Sequence, residues 1–174
     1  MRDKDNPFWE VHDVRRTSRY WSKIYADQSQ NLSSRIFWKD CIIALFASTS
    51  AISAFPFLTG SFYGSKVWVA GVFAAAILAT IGPILKWIER FEHYNSMLAG
   101  YRDLESACEV IIFSAQQTKS FNDYALKRFE EVMGVKAALR AKGKPLPLSY
   151  KEKQTYQNDV NAELPPDSLY LPPR

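Results

Sequence analysis

The sequence predicts an all-α membrane protein, with a two-span transmembrane helical hairpin and a cytoplasmic helical bundle. Two stretches, residues 41–65 and 67–85, contain no charged residue. Each reaches the roughly 20 apolar residues that a helix needs to cross the hydrocarbon core of a bilayer. Only Lys66 separates the two stretches, whereas the chain on either side of them is rich in charge. This segregation indicates two spans joined by a tight turn.

The N-terminal cytoplasmic helix is predicted over residues 1–35. Asn6 and Pro7 suit the N-cap and the first helical position. Apolar residues then recur every three or four positions from Val11 to Leu32, which is the pattern of one helix face.

The transmembrane hairpin is predicted over residues 36–88. Trp38, Trp68 and Trp87 suit the membrane interfaces, where aromatic residues collect. Arginine and lysine are concentrated before the first span and after the second. By the positive-inside rule, both termini therefore face the cytoplasm.

Cytoplasmic helices are predicted over residues 89–143, and a Pro-rich tail over residues 144–174. The second span has no stop signal after Trp87, so we expect it to be continuous with a long cytoplasmic helix. A last helix begins near Ser120 and ends at Gly143, where glycine is a favoured terminator. The tail is either a disordered end or a segment that docks on the bundle or on a neighbouring subunit.

The first span offers candidate pore-lining residues. Thr49 and Ser53 share one helix face, and a hydroxyl-lined face is what a water-filled pore requires. The alternative is that these hydroxyls bond back to carbonyls of the preceding turn. Asp40 would form a ring of carboxylates at the pore mouth of a symmetric oligomer, or it is a solvated neighbour of Lys39.

Pro56 and the pair Gly82 and Pro83 interrupt the two spans. Proline removes a backbone hydrogen bond and bends a helix. These residues are therefore candidate hinges, and the alternative is a set of static kinks.

The first helix carries a candidate ligand-binding set, in which basic and aromatic side chains alternate. Guanidinium groups and aromatic rings suit phosphates and bases. The same residues also suit a helix near anionic lipid headgroups. The set is Arg15, Arg16, Arg19, Tyr20 and Lys23.

No catalytic constellation or cofactor motif is visible in the sequence, so we expect a protein that is not an enzyme and holds no cofactor. His12 and His93 have no metal-ligand spacing with each other or with the cysteines.

The order of these elements, with the aromatic-rich run at residues 88–105 after the second span, resembles the SLATT family of bacterial two-span effectors. The resemblance implies a pore-forming effector of an antiphage system in the bacterial inner membrane. It also implies control by a nucleotide signal that a partner nucleotidyltransferase makes, and depolarisation of the cell when the pore opens. We expect no fused sensor domain, because the tail after Gly143 is too short to form one, so the ligand would bind the helical domain, or a separate protein would sense it.

We therefore expect an ion channel gated by a nucleotide or by a partner sensor. Because two spans cannot enclose a water path, a channel requires a homo-oligomer, and a tetramer would supply eight spans. The alternative is a non-conducting membrane anchor or scaffold, whose helical bundle recruits a cytoplasmic partner.

Overall fold

Four α-helices make up most of the described chain. The computed structural model describes residues 7–47, 73–74, 77, 79–80, 86–118 and 120–166. The helices are α1 (Pro7–Ala47), α2 (Trp87–Thr118), α3 (Asp123–Lys142) and α4 (Tyr150–Glu163). These residues include no strand, so the all-α prediction is confirmed for this part of the chain.

The prediction of a two-span membrane hairpin is contradicted. Among the described residues, no helix is both long enough and apolar enough to cross a membrane. The later turns of α1 carry Arg35, Lys39 and Asp40. The described residues include seven of the stretch at 41–65 and five of the stretch at 67–85. Most of both stretches lies outside the described residues.

The prediction that the second span continues into α2 without a break is also wrong. α2 begins at Trp87, and Lys86 before it has a φ of 51°. This is the left-handed region, which a residue inside a right-handed helix does not adopt. The Lys86 carbonyl instead accepts a hydrogen bond from the Arg90 amide at 3.0 Å, at the first turn of α2.

The described residues fall into two compact units. The first lies within Met1–Asp27 and Tyr94–Arg174, and the second within Gln28–His93. In the second unit, the part of α1 beyond Gln28 exposes Phe37 and Trp38. The predicted domain limits at residues 35, 88 and 143 stay a prediction.

The core of the first unit joins one face of α1 to α2 and α3. Val11 and Val14 of α1 are buried, as the apolar spacing predicts. The core residues of α2 recur at alternating intervals of four and three positions, and α3 contributes a narrower buried face to the same core. The Tyr101 ring stacks against two α1 rings, with its centroid 6.2 Å from that of Trp21 and 5.8 Å from that of Tyr25. The α2 and α3 core residues are Met97, Tyr101, Leu104, Cys108, Ile111, Ile112, Ala125, Phe129, Val132 and Leu139.

Local signals set most of the helix ends. α1 begins at Pro7, as predicted. α3 begins at Asp123 instead of Ser120, because the Asn122 side chain accepts a hydrogen bond from the Ala125 amide at 2.9 Å and caps the helix. Gly143 ends α3, and its amide donates to the Leu139 carbonyl at 2.9 Å.

α4 was not predicted, although the sequence contains its start signal. Ser149 and Glu152 form a reciprocal capping box, in which each side chain accepts from the backbone amide of the other. The helix has a polar surface and buries only Val160. The tail was predicted to be either disordered or docked on the bundle, and residues 150–165 are docked.

Candidate anion-binding site on α1

Four cationic side chains of α1 form one row, which we call the basic row. They are Arg15, Arg16, Arg19 and Lys23, all predicted as ligand-binding residues. Arg19 follows Arg15 by four residues and Arg16 by three, and Lys23 follows Arg19 by four, so these side chains lie on adjoining turns of the helix. All four are half-buried, because α2 and α4 pack beside them.

The α2 side of the basic row supplies two carboxylates. Arg15 Nη2 lies 2.5 Å from Glu109 Oε1, and Arg19 Nη1 lies 3.7 Å from Glu105 Oε2. The Glu105 side chain is only 13% exposed. Burial raises the pKa of Glu105, and the neighbouring Arg19 charge opposes that rise.

The α4 side supplies a carboxylate that two cations share. Arg19 Nε donates to Glu163 Oε2 at 2.8 Å, and Lys23 Nζ donates to Glu163 Oε1 at 2.7 Å. These two hydrogen bonds lower the pKa of Glu163, because they stabilise its charged form. Glu163 thus occupies an anion position between Arg19 and Lys23.

The end of α4 is held by two further α1 residues. Arg16 Nε donates to the Leu164 carbonyl at 3.0 Å, and its Nη2 donates to the Asn161 side-chain oxygen. His12 Nε2 lies 3.2 Å from the Pro165 carbonyl, so the proton is on Nε2. The last carbonyls of a helix have no partner inside it, and here side chains of α1 satisfy carbonyls at the end of α4.

His12 is buried in this contact. The residue is 2% exposed, and within the described residues its Nδ1 has no hydrogen-bond partner. Burial lowers the pKa of His12, the Pro165 hydrogen bond opposes that change, and the charges of Arg16 and Arg15 add to it. His12 is therefore neutral while the end of α4 is docked.

Tyr20 lies beside the basic row and lines a cleft between α1 and α4. Its ring packs edge-on against Trp21, at a centroid distance of 5.4 Å. The cleft has a volume of about 490 Å³ and is lined by Asp13, Arg16, Thr17, Tyr20, Trp21, Gln157 and Val160. This volume lies in the range of small-molecule sites.

The charges at the site nearly cancel. The four cations of the basic row face Glu105, Glu109 and Glu163, and Asp13 lies 3.8 Å from Arg16. An incoming anion would therefore have to replace a carboxylate that is already bound. The site holds carboxylates between cations, and no nucleophile is paired with a base among its described residues.

The remaining predicted site residues lie elsewhere. Asp40 is on α1 in the second unit, exposed, with its Oδ1 2.9 Å from Lys39 Nζ. This matches its interpretation as a neighbour of Lys39. Thr49, Ser53, Pro56, Gly82 and Pro83 lie outside the described residues.

The sequence analysis missed the acidic half of the site. Of these acidic residues, Glu105 was the easiest to predict from the sequence, because it interrupts an otherwise apolar helix face. Glu163 and Asn161 would have been visible only after α4 had been predicted from Ser149 and Glu152.

Similarity searches do not identify the chain. Comparison with protein-family models, curated proteins and solved structures found no match. The resemblance to SLATT effectors therefore stays a prediction. Within the described residues, no group of His, Cys, Asp or Glu could hold a metal ion.

Proposed function

We propose that this chain is a non-catalytic signalling effector, whose helical bundle binds a phosphate-bearing ligand of nucleotide type on α1. The observation that carries the proposal is the Glu163 carboxylate, held at 2.8 and 2.7 Å by Arg19 and Lys23. A position that holds a carboxylate between two cations has the charge and donor geometry for a phosphate. The ligand binds by replacing Glu163.

The surroundings of Glu163 favour a nucleotide over a simple anion. Arg16 adds a third cation beside the cleft, and Tyr20 places an aromatic ring at the cleft wall. A base stacks on such a ring, and stacking contributes about 1–3 kcal/mol per base. The cleft lining does not include Arg19, Lys23 or Glu163, so a nucleotide would use both places only by extending from one to the other along α1.

The weak attachment of α4 makes replacement feasible. Val160 is the buried residue of α4, and full burial of a valine contributes about 1.5–3 kcal/mol. The ion pairs of Glu163 are partly exposed, and such pairs contribute roughly 0–1 kcal/mol each. Ligand binding would release α4, and this change is the signal that the effector transmits.

The pore predicted from the sequence is not part of this proposal, because it required the two spans that the fold contradicts. The resemblance to nucleotide-controlled effectors supports the signalling role only. In this proposal the ligand regulates the chain at the helical bundle, where it competes with α4 for the same cations.

Calorimetric titration of the full chain with cyclic di-AMP, ATP and inorganic phosphate tests the proposal. Glu163→Gln removes the resident charge and should tighten nucleotide binding roughly tenfold, which corresponds to ~1.4 kcal/mol. Arg19→Gln in the same chain should abolish that gain. Glu131→Gln is the matched control, because Glu131 pairs with Arg128 on α3, away from the basic row. Failure of both nucleotides to bind wild type and Glu163→Gln at millimolar concentration would overturn the proposal.

A recruitment scaffold is the second candidate, and an apolar groove between α2 and α3 favours it. The apolar lining residues are Leu104, Ala107, Val110, Ile111, Val132 and Val135, and Asp103, Arg128 and Glu131 also line the groove. Such a groove suits the apolar face of a partner helix. Val110→Arg with Val135→Arg should remove a co-purifying partner and leave nucleotide affinity unchanged, and retention of the partner would contradict this role.

A further inference from the structure

α4 and α1 pack in opposite directions through contacts of fixed order. Tyr156 pairs with Asp27, Glu163 with Lys23 and Arg19, and Pro165 with His12. Residue numbers rise along α4 while they fall along α1, so the two helices are antiparallel. We call the α1 surface formed by His12, Arg16, Arg19, Lys23 and Asp27 the docking face.

The docking face recognises α4 by charge and hydrogen bonding. Cations and His12 meet the end of α4, where Glu163 and the carbonyls of Leu164 and Pro165 lie. At the opposite end the docking face supplies the acceptor and α4 supplies the donor, since the Asp27 carboxylate accepts a hydrogen bond from the Tyr156 hydroxyl at 2.7 Å. This arrangement of charges and hydrogen bonds fixes both the direction and the register of the bound helix.

These contacts come from residues 156–165, and not from the way in which α4 is joined to α3. α3 ends at Gly143 and α4 begins at Tyr150, with two prolines between them. An identical segment from another copy carries every group that the docking face binds. The connector supplies only a high local concentration of the copy's own α4.

We propose that the docking face is an interface between copies of this chain, on which α4 of a second copy takes the place of the resident α4. The charge complementarity of the docking face and residues 156–165 identifies this occupant. Exchange of an identical element between protomers is a low-cost route to an oligomer. The interface forms without ligand, although a nucleotide bound at the Glu163 position would compete for the same docking face.

Charge reversal in separate chains tests the exchange. One full-length chain carries Arg19→Glu and Lys23→Glu, so that its docking face repels its own α4. A second chain carries Glu163→Lys, so that its α4 is repelled by its own docking face. When the two are mixed, wild-type α4 from the first chain fits the wild-type docking face of the second, and both reversed surfaces also match.

The readout is energy transfer between chains labelled with donor and acceptor dyes, together with mass from light scattering. We expect at least tenfold stronger association in the mixture than in either variant alone. One chain that carries all three changes is the control, since its charges match again and it should mix no better than wild type.

The absence of association in a mixture of two folded variants would overturn the proposal. If a reversed variant fails to fold, a labelled peptide of residues 149–166 is titrated onto the full-length Glu163→Gln chain. Saturable binding that is lost when the peptide itself carries Glu163→Lys supports the interface, and no binding overturns it. If the calorimetric titration detected no nucleotide binding, the conclusion from the association or peptide experiment would be the same.

Discussion

The Tyr156 hydroxyl donates a hydrogen bond to the Asp27 carboxylate, at an O···O distance of 2.7 Å and across 129 positions of the chain. Burial and this hydrogen bond raise the pKa of Tyr156, so the hydroxyl stays protonated as a donor. The contact lies about two turns of α4 from the ion pairs of Glu163. It therefore holds the half of α4 that the basic row does not reach.

Loss of this hydroxyl should loosen the first half of α4. Tyr156→Phe keeps the ring and removes one hydrogen bond, which is worth about 0.5–1.5 kcal/mol. Hydrogen exchange of residues 150–158 should quicken, while that of α2 stays unchanged. Tyr150→Phe is the matched control, because Tyr150 is 81% exposed. Equal exchange in the two variants would show that the Asp27 contact does not hold the helix.

Acidification should destabilise the bundle through His12. The pKa of His12 is lowered in the folded chain, so the unfolded chain takes up its proton at a higher pH. The stabilisation that results is present above pH 6.5 and is lost as the pH falls below that value. The pKa of Glu163 is also lowered, but its contribution is lost only below the ordinary glutamate range.

His12→Gln separates this effect from those of the neighbouring charges, since Asp13, Arg15, Arg16 and Glu105 remain. Urea unfolding at pH 7.5 and pH 5.5 measures the free energy of unfolding of both chains. The decrease between the two pH values should be larger for wild type than for the variant. If the free energy of unfolding decreased by the same amount in wild type and in the variant, His12 would not be the source of the decrease.

Two glycines of the first unit should respond in different ways to alanine. At Gly134 of α3, an added Cβ meets nothing within 4 Å. Gly134→Ala should therefore raise the free energy of unfolding by up to about 1 kcal/mol, through helix propensity alone. At Gly100 of α2, the added Cβ would lie 2.6 Å from Leu139 Cδ2.

Gly100→Ala gains the same propensity, but the buried Leu139 must shift to admit the methyl group. Overpacking of this kind costs about 1–3 kcal/mol. Thermal unfolding should place Gly100→Ala below Gly134→Ala in stability. The reverse order would indicate that α2 and α3 do not pack through Gly100.

The two cysteines should differ in reactivity. Cys108 is fully buried, and burial raises the pKa of its thiol to about 12. Alkylation requires the thiolate, so iodoacetamide at pH 8 should leave Cys108 unmodified and modify the exposed Cys41. Mass spectrometry of the digested protein measures both sites, and urea should make Cys108 reactive. Rapid alkylation of Cys108 without denaturant would contradict its place in the core.

Patterns confined to one helix were predictable from the sequence. The start of α1 at Pro7 and the end of α3 at Gly143 follow from single residues with strong positional preferences. The buried face of α1 follows from its apolar spacing, since Val11 and Val14 are buried as predicted. The polar α4 lacked such an apolar face, so its start signal at Ser149 and Glu152 passed unnoticed.

The membrane hairpin shows where this reasoning failed. A long uncharged stretch satisfies the length and polarity needed for a span, but none of the described helices is both long enough and apolar enough to cross a membrane. α1 continues to Ala47 with Arg35, Lys39 and Asp40 in its later turns, and α2 begins only at Trp87.

By itself, the sequence determined the helical class, the apolar face of α1 and the presence of a cationic set near residues 15–23. These properties depend on residues a few positions apart. Only the tertiary structure decided what those cations bind. Arg19 and Lys23 meet Glu163 from 144 and 140 positions away, because the antiparallel packing of α4 on α1 brings these distant segments together. Charge pairing over such separations leaves no periodic trace in a sequence.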